Sequence, residues 1–193
     1  MTRDEVLAVF RECGAILEGH FILSSGLRSP VFLQKARVFQ YPAKTEILCK
    51  AMAAKVLAAG LGRIDAVIAP AVGGIVPGYE TARHMNVPAM WVEREGGEFR
   101  LRRFELEPGS RVVVVEDIVT TGLSIRETIE ALRKAGIEVV AACCLIDRSD
   151  GEADVGVPLI ALTGYKVPAY KPEDVPADMA AIPAVKPGSR NLA

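Results

Sequence analysis

One run constrains this chain more than any other: Val112-Val113-Val114-Val115-Glu116-Asp117-Ile118-Val119-Thr120-Thr121-Gly122-Leu123-Ser124. Four successive valines suit a strand buried on both faces, because a half-solvated strand alternates apolar and polar side chains. Their β-branched side chains also favour extended backbone. Such strands belong to parallel sheets covered by helices. After the valines come two acids and a loop of Thr, Thr, Gly and Ser. A helix then runs from Leu123 to about Ala135 and is closed by Gly136.

The flanking sequence repeats this alternation. Ala66–Ala69, Ala89–Glu93 and Val139–Ile146 read as strands, and Gly73 to about Met85 reads as a helix with Pro77 near its first turn. Together they predict an α/β fold with a mainly parallel, twisted sheet flanked by helices. Upstream, Thr2 and Glu5 form a capping-box pattern that opens a helix through about Cys13, ended by Gly14. From His20 to Tyr41, β-formers mix with turn residues at Ser24-Ser25-Gly26 and Ser29-Pro30, which suggests a small β-rich lobe. Pro42 starts a second helix that stops at Gly60. From Lys166 onward the chain is rich in proline and poor in periodic apolar positions, so an extended or frayed surface tail is expected. A length of 193 residues fits one domain, and half of them are hydrophobic, enough for a core without staples.

Charge and cysteine usage exclude several classes. Lys plus Arg number 23 and Asp plus Glu 24, with no basic run, so no nucleic-acid surface is indicated. Cys13, Cys49, Cys143 and Cys144 form no Cys-x-x-Cys pair and only two histidines accompany them, which argues against a structural zinc site. Adjacent Cys143 and Cys144 would face opposite sides of a strand as buried free thiols. The N-terminus has no apolar signal region, and no apolar run approaches the ~20 residues of a membrane helix. A cytoplasmic protein without a membrane partner is the expectation.

The loop after the valines carries the chemistry. Its amides and hydroxyls converge at a positive helix N-terminus, an arrangement suited to phosphate, and Gly122 lets a ligand approach the backbone closely. Glu116 and Asp117 would repel that phosphate unless they faced something else; ribose hydroxyls or waters on a ligand-held Mg²⁺ are natural partners. No Gly-Lys-Ser/Thr and no Gly-x-Gly-x-x-Gly pattern is present. Taken alone, a Thr-Gly-x-Ser segment is equally an ordinary strand–loop–helix turn. Ala71-Val72-Gly73-Gly74 follows another strand and exposes N–H groups to an anion, or simply makes a tight turn. Arg148 ends an apolar strand, where it could grip a carboxylate bidentately or form a surface ion pair with Asp147 or Asp150.

The run Val112 to Ser124 resembles the phosphoribosyl pyrophosphate (PRPP) signature of type I phosphoribosyltransferases. The segment Leu17-Glu18-Gly19-His20-Phe21-Ile22-Leu23-Ser24-Ser25-Gly26, with Ser29-Pro30 and Gln40-Tyr41-Pro42, resembles the orotate branch of that family. So do Ala69-Pro70-Ala71-Val72-Gly73-Gly74 and Leu145-Ile146-Asp147-Arg148. The resemblance implies the type I phosphoribosyltransferase fold, with hood elements over about 1–41 plus part of the C-terminal tail and an α/β core over about 42–165. It implies that Glu116, Asp117, Ile118, Val119, Thr120, Thr121, Gly122, Leu123, Ser124, Ala71, Val72, Gly73, Gly74 and Arg94 bind PRPP. Thr120, Arg148, Ser25 and Phe32 would bind orotate.

Residues 93–104 would form a catalytic loop that reaches the neighbouring site of a homodimer. Asp117, Arg94, Arg102 and Arg103 would act in catalysis, with Mg²⁺ held mainly by PRPP and by Asp117 only through water. Two departures stand out: many relatives carry a lysine where Gly73 stands, and often one where Ser24 stands. The implied reaction joins orotate and PRPP into orotidine 5′-monophosphate and pyrophosphate. A purine phosphoribosyltransferase is the alternative, and a non-catalytic PRPP-sensing regulator a more remote one.

Overall fold

The computed structural model describes residues 1–23 and 25–187; the Ser24 position noted above lies outside them. The four valines lie in the centre of a six-stranded sheet ordered β5-β4-β3-β6-β7-β8. Its strands are β3 (Ala66–Pro70), β4 (Ala89–Glu95), β5 (Glu98–Arg100), β6 (Arg111–Val119), β7 (Glu138–Asp147) and β8 (Leu159–Gly164). All neighbours pair in parallel except β5, which turns back antiparallel on β4. Val112 to Val115 are fully buried and alternate between two cores: Val113 and Val115 face one, Val112 and Val114 the other. This two-sided burial is what the unbroken valine run requires.

Helices α3 (Pro42–Ala58) and α4 (Ile75–Met85), with α1 (Arg3–Glu12), cover the first face, and α5 (Leu123–Lys134) covers the second. The capping box at Thr2 and Glu5 is present: the Glu5 amide donates to Thr2 Oγ1 at 3.3 Å and the Thr2 amide to Glu5 Oε2 at 2.7 Å. Cys143 and Cys144 are buried free thiols on opposite faces of β7. Burial pushes the Cys143 thiol up to about 12, so it is inert at neutral pH.

Several boundaries differ from the sequence expectation. β6 does not stop at the acids; it continues past Glu116 and Asp117 to Val119, paired along β7 as far as Asp147. The two acids are therefore strand residues with fixed directions. β8 has no counterpart in the sequence reading, although Pro158 and Gly164 bracket its short apolar run.

The β-rich N-terminal segment forms a separate antiparallel pair, β1 (Ile16–Ile22) with β2 (Arg28–Leu33), followed by the short helix α2 (Ala36–Phe39). The tail returns to this pair: Val185 bridges to Phe21, and Tyr170 to Arg28. A short helix α6 (Ala177–Ala180) buries Met179 between those two bridges in sequence.

Candidate active site

The phosphate cradle is built where β6 ends. Gly122 takes a left-handed conformation at φ 73°, and α5 begins immediately after it. A Cβ on Gly122 would lie 2.5 Å from Val155 Cγ1, so the loop packs too closely there for any side chain. Arg126 holds the loop from below by donating to the backbone oxygens of Thr121 at 2.8 Å and Asp154 at 2.7 Å. This clamp joins residues 28 positions apart and left no local signal in the sequence.

The Thr121, Gly122 and Ser124 amides have no acceptor among the described residues, and the Leu123 amide has only Thr121 Oγ1 at 3.4 Å. Three unpaired donors and one weakly held one at a helix start form an anion site. Glu116, Ile118, Val119, the loop residues Thr120 to Gly122 and the first turn of α5 to Ile125 line a cavity of about 260 Å³ there.

Both acids are buried at this edge. Glu116 Oε1 accepts from the Asp117 amide at 3.0 Å. Burial, reinforced by the neighbouring Asp117 charge, pushes the Glu116 carboxyl up to about 8. Asp117 is 1% exposed. Its Oδ1 accepts from Lys35 Nζ and from the Ile118 amide, each at 2.6 Å, while its buried Oδ2 has no partner. An orphaned carboxylate oxygen is costly in a closed core and sensible where a ligand completes it.

The raised Glu116 carboxyl has a testable consequence. A carboxyl protonated more readily folded than unfolded contributes stability that is lost as pH rises from 4.5 towards 8. Glu116→Gln is neutral at every pH. Its melting temperature should match that of the parent near pH 4.5 and exceed it above pH 8 by about 2–4 °C per kcal/mol relieved. Paired thermal melts at the two pH values check this, and a gap that does not widen with pH would rule it out.

The second anion segment, Ala71-Val72-Gly73-Gly74, lies between β3 and α4 and contains a cis peptide between Ala71 and Val72. The Ala71 and Gly74 amides are taken by the Val92 and Pro70 oxygens. Those of Val72 and Gly73 have no acceptor among the described residues. Gly74 has no room for a side chain, since its Cβ would lie 2.8 Å from the Val115 oxygen. Gly73 has none either: a Cβ there would lie 2.4 Å from Asp117 Oδ2 and 3.3 Å from Lys35 Nζ. The departure at Gly73 thus has a steric basis, and Asp117 faces this loop as well as its own.

Arg148 follows β7. It is not paired with Asp147, which is occupied as acceptor of the Ser149 amide, the Ser149 hydroxyl and the Gly151 amide. Asp150 is paired with Lys166. Arg148 therefore has no ion-pair partner among the described residues, and its Nε is buried without an acceptor. Burial pulls its guanidinium below the usual arginine range, the direction expected when a cation is desolvated before its counter-ion arrives. Arg148 lines a cavity of about 420 Å³ with Thr120, Thr121 and Arg126. Thr120 and Thr121 wall both cavities, so the cradle and the free guanidinium lie on either side of the same two residues.

Other expected residues lie apart from it. The first part of residues 93–104 is a hairpin of β4 and β5 through Gly96 and Gly97, and 101–104 continue outside any strand. Arg94 is bound to Glu127 and the Gly97 oxygen and stacks 4.2 Å over Phe99, while Arg102 and Arg103 pair with Glu93. None of the three lines either cavity. Ser25 is exposed, and Phe32 packs against Phe21 with ring centres 5.9 Å apart; neither lines these cavities. In its place the structure brings in Lys35, which the sequence reading passed over because its partner is 82 positions away.

A parallel sheet whose strand ends carry two anion loops, a pair of acids between them and a free guanidinium alongside defines a phosphoribosyltransferase. Residues 40–158 match the model of the phosphoribosyl transferase domain family. Orotate phosphoribosyltransferase 2 of Mesorhizobium japonicum is 70% identical over 192 residues, and the orotate phosphoribosyltransferase of Brucella canis 68% identical, each match covering all of both chains. The crystal structure of orotate phosphoribosyltransferase from Aeropyrum pernix superposes with a TM-score of 0.67 at 31% identity, covering 82% of this chain and 93% of that one. The chain belongs to the orotate phosphoribosyltransferase family, whose reaction forms orotidine 5′-monophosphate in pyrimidine biosynthesis.

Proposed function

We propose that the chain transfers the phosphoribosyl group of PRPP to orotate at the strand ends of the sheet: the 5′-phosphate on the Thr121–Ser124 amides, the pyrophosphate against Val72 and Gly73, and the orotate carboxylate on Arg148. The observation that carries this reading is the half-buried Arg148, without an ion-pair partner among the described residues, sharing the walls Thr120 and Thr121 with the phosphate cradle. A guanidinium held without a counter-ion beside an anion site selects a substrate that brings its own carboxylate. Orotate does so, whereas adenine and hypoxanthine do not.

The chemistry needs positioning more than covalent help. The C1–pyrophosphate bond breaks through a cationic sugar, its electron pair leaves on the pyrophosphate oxygen, and the orotate ring nitrogen takes the sugar while its N–H proton passes to solvent. Glu116 and Asp117 lie where the ribose hydroxyls would pass between the two anion loops. The orphaned Asp117 Oδ2 also fits a role in holding Mg²⁺, through water, on the pyrophosphate side. When bound, the ion neutralises the phosphate charges and so eases departure of pyrophosphate.

The chain is read as a cytoplasmic homodimer whose hairpin arginines act in the neighbouring site. In support, Arg94, Arg102 and Arg103 lie away from the cavities of their own chain. Val72, Val76 and Tyr79 leave an apolar strip 43–82% exposed along the start of α4. No described helix is long and apolar enough to cross a membrane.

The test is an ultraviolet assay with orotate, adenine or hypoxanthine, PRPP, and either Mg²⁺ or a chelator. Turnover is expected with orotate and Mg²⁺ alone. Turnover of a purine, or full activity under chelation, would overturn the corresponding part. Light scattering should give twice the 20.7 kDa chain mass.

A further inference from the structure

We propose that Lys35 is the cation of the pyrophosphate site, reaching it from the N-terminal lobe. The segment Ala71-Val72-Gly73-Gly74 has two free amides but no positive side chain of its own. Lys35, at the turn between β2 and α2, places its Nζ 3.3 Å from where a Gly73 side chain would begin. The ammonium is held by Asp117 Oδ1 at 2.6 Å, while Asp117 Oδ2 has no partner among the described residues. Its side chain is 41% exposed, so its remaining donors are open to solvent and ligand.

Asp117 also explains why the cation comes from so far along the chain. Its carboxylate occupies the space a side chain at position 73 would need. The same carboxylate offers an anchor for an ammonium arriving from the lobe. The inference rests on the PRPP reading of this site and adds a residue to it. When the C1–O bond breaks and its electron pair passes to pyrophosphate, Lys35 donates a hydrogen bond to a leaving-group oxygen. No proton changes hands between them, and the added negative charge meets a fixed positive one. Because Lys35 belongs to the lobe and Asp117 to the sheet, binding of pyrophosphate would also tie the two parts together.

Three measurements test this. Lys35→Met keeps the length and removes the charge. It should raise the dissociation constant for inorganic pyrophosphate, and lower kcat/KM for PRPP, by about ten- to a hundredfold, the effect of losing a charged hydrogen bond. KM for orotate should not move, and Lys35→Arg should recover most of the loss. In an Asp117→Asn background, Lys35→Met should still weaken pyrophosphate binding. No further loss there would mean that Lys35 only positions Asp117, which overturns the proposal.

Should Lys35→Met not fold, the unaltered protein still decides the matter. Acetylation of Lys35 by acetic anhydride, followed by mass spectrometry, should slow markedly in the presence of pyrophosphate, and an unchanged rate would overturn it. Parallel turnover of the unaltered protein with orotate and PRPP separates the two readings. Its absence would undo the assigned reaction, whereas turnover with undiminished pyrophosphate binding in Lys35→Met would undo only the role of Lys35.

Discussion

Arg148→Ala is expected to cut kcat/KM for orotate by roughly ten- to a hundredfold, the ~1.5–3 kcal/mol of a charged hydrogen bond, while leaving KM for PRPP nearly unchanged. The asymmetry follows from where the guanidinium stands. It has no ion-pair partner among the described residues, so removing it breaks no internal salt bridge. Asp147 supports the turn through Ser149 and Gly151 and would still do so in the variant. Removing a desolvated cation should therefore preserve the fold, and the melting temperature should hold or rise slightly. Steady-state kinetics varying each substrate in turn provides the measurement. Equal losses for both substrates would place Arg148 outside the orotate subsite.

Asp117→Asn should act on the other substrate. The substitution keeps the volume but removes the charge that faces both Lys35 and Gly73. It also turns the unpartnered oxygen, or the nitrogen replacing it, into a weaker partner for a ribose hydroxyl or a magnesium-bound water. A fall of roughly ten- to a hundredfold in kcat/KM for PRPP is expected on the same charged-hydrogen-bond scale. Lys35 is part-exposed and can turn to water, so stability should change far less than for a fully buried pair, whose loss of one partner costs about 3–5 kcal/mol. Undiminished turnover at low PRPP would remove Asp117 from the reaction.

These expectations draw on features of very different visibility. The valine strand, the acid pair and the Thr-Thr-Gly-x-Ser loop were legible because each is a local pattern: burial on both faces, a hydroxyl-rich turn, a helix start. The end of β6 was not, since nothing local shows that the strand runs on past the acids to Val119, paired with β7. β8 was missed because six residues at a sheet edge carry too little periodicity. Residues 93–104 form the catalytic loop only by resemblance; within them Gly96 and Gly97 close the β4–β5 turn, and Arg94 and Arg103 are held by Glu127 and Glu93 through contacts that no local pattern shows. The pairing of Lys35 with Asp117, like the clamp of Arg126 on residue 154, joins segments that no short-range pattern connects.

The amino-acid order alone determined that a both-face-buried strand feeds an anion loop at a helix start, because that follows from side-chain shape and spacing over a dozen residues. Only the tertiary structure decided which charges stay unpaired there. Whether Arg148 is free, and which cation meets Asp117, depends on carboxylates and ammonium groups that distant strands bring within 3 Å, and on the space that Gly73 leaves empty.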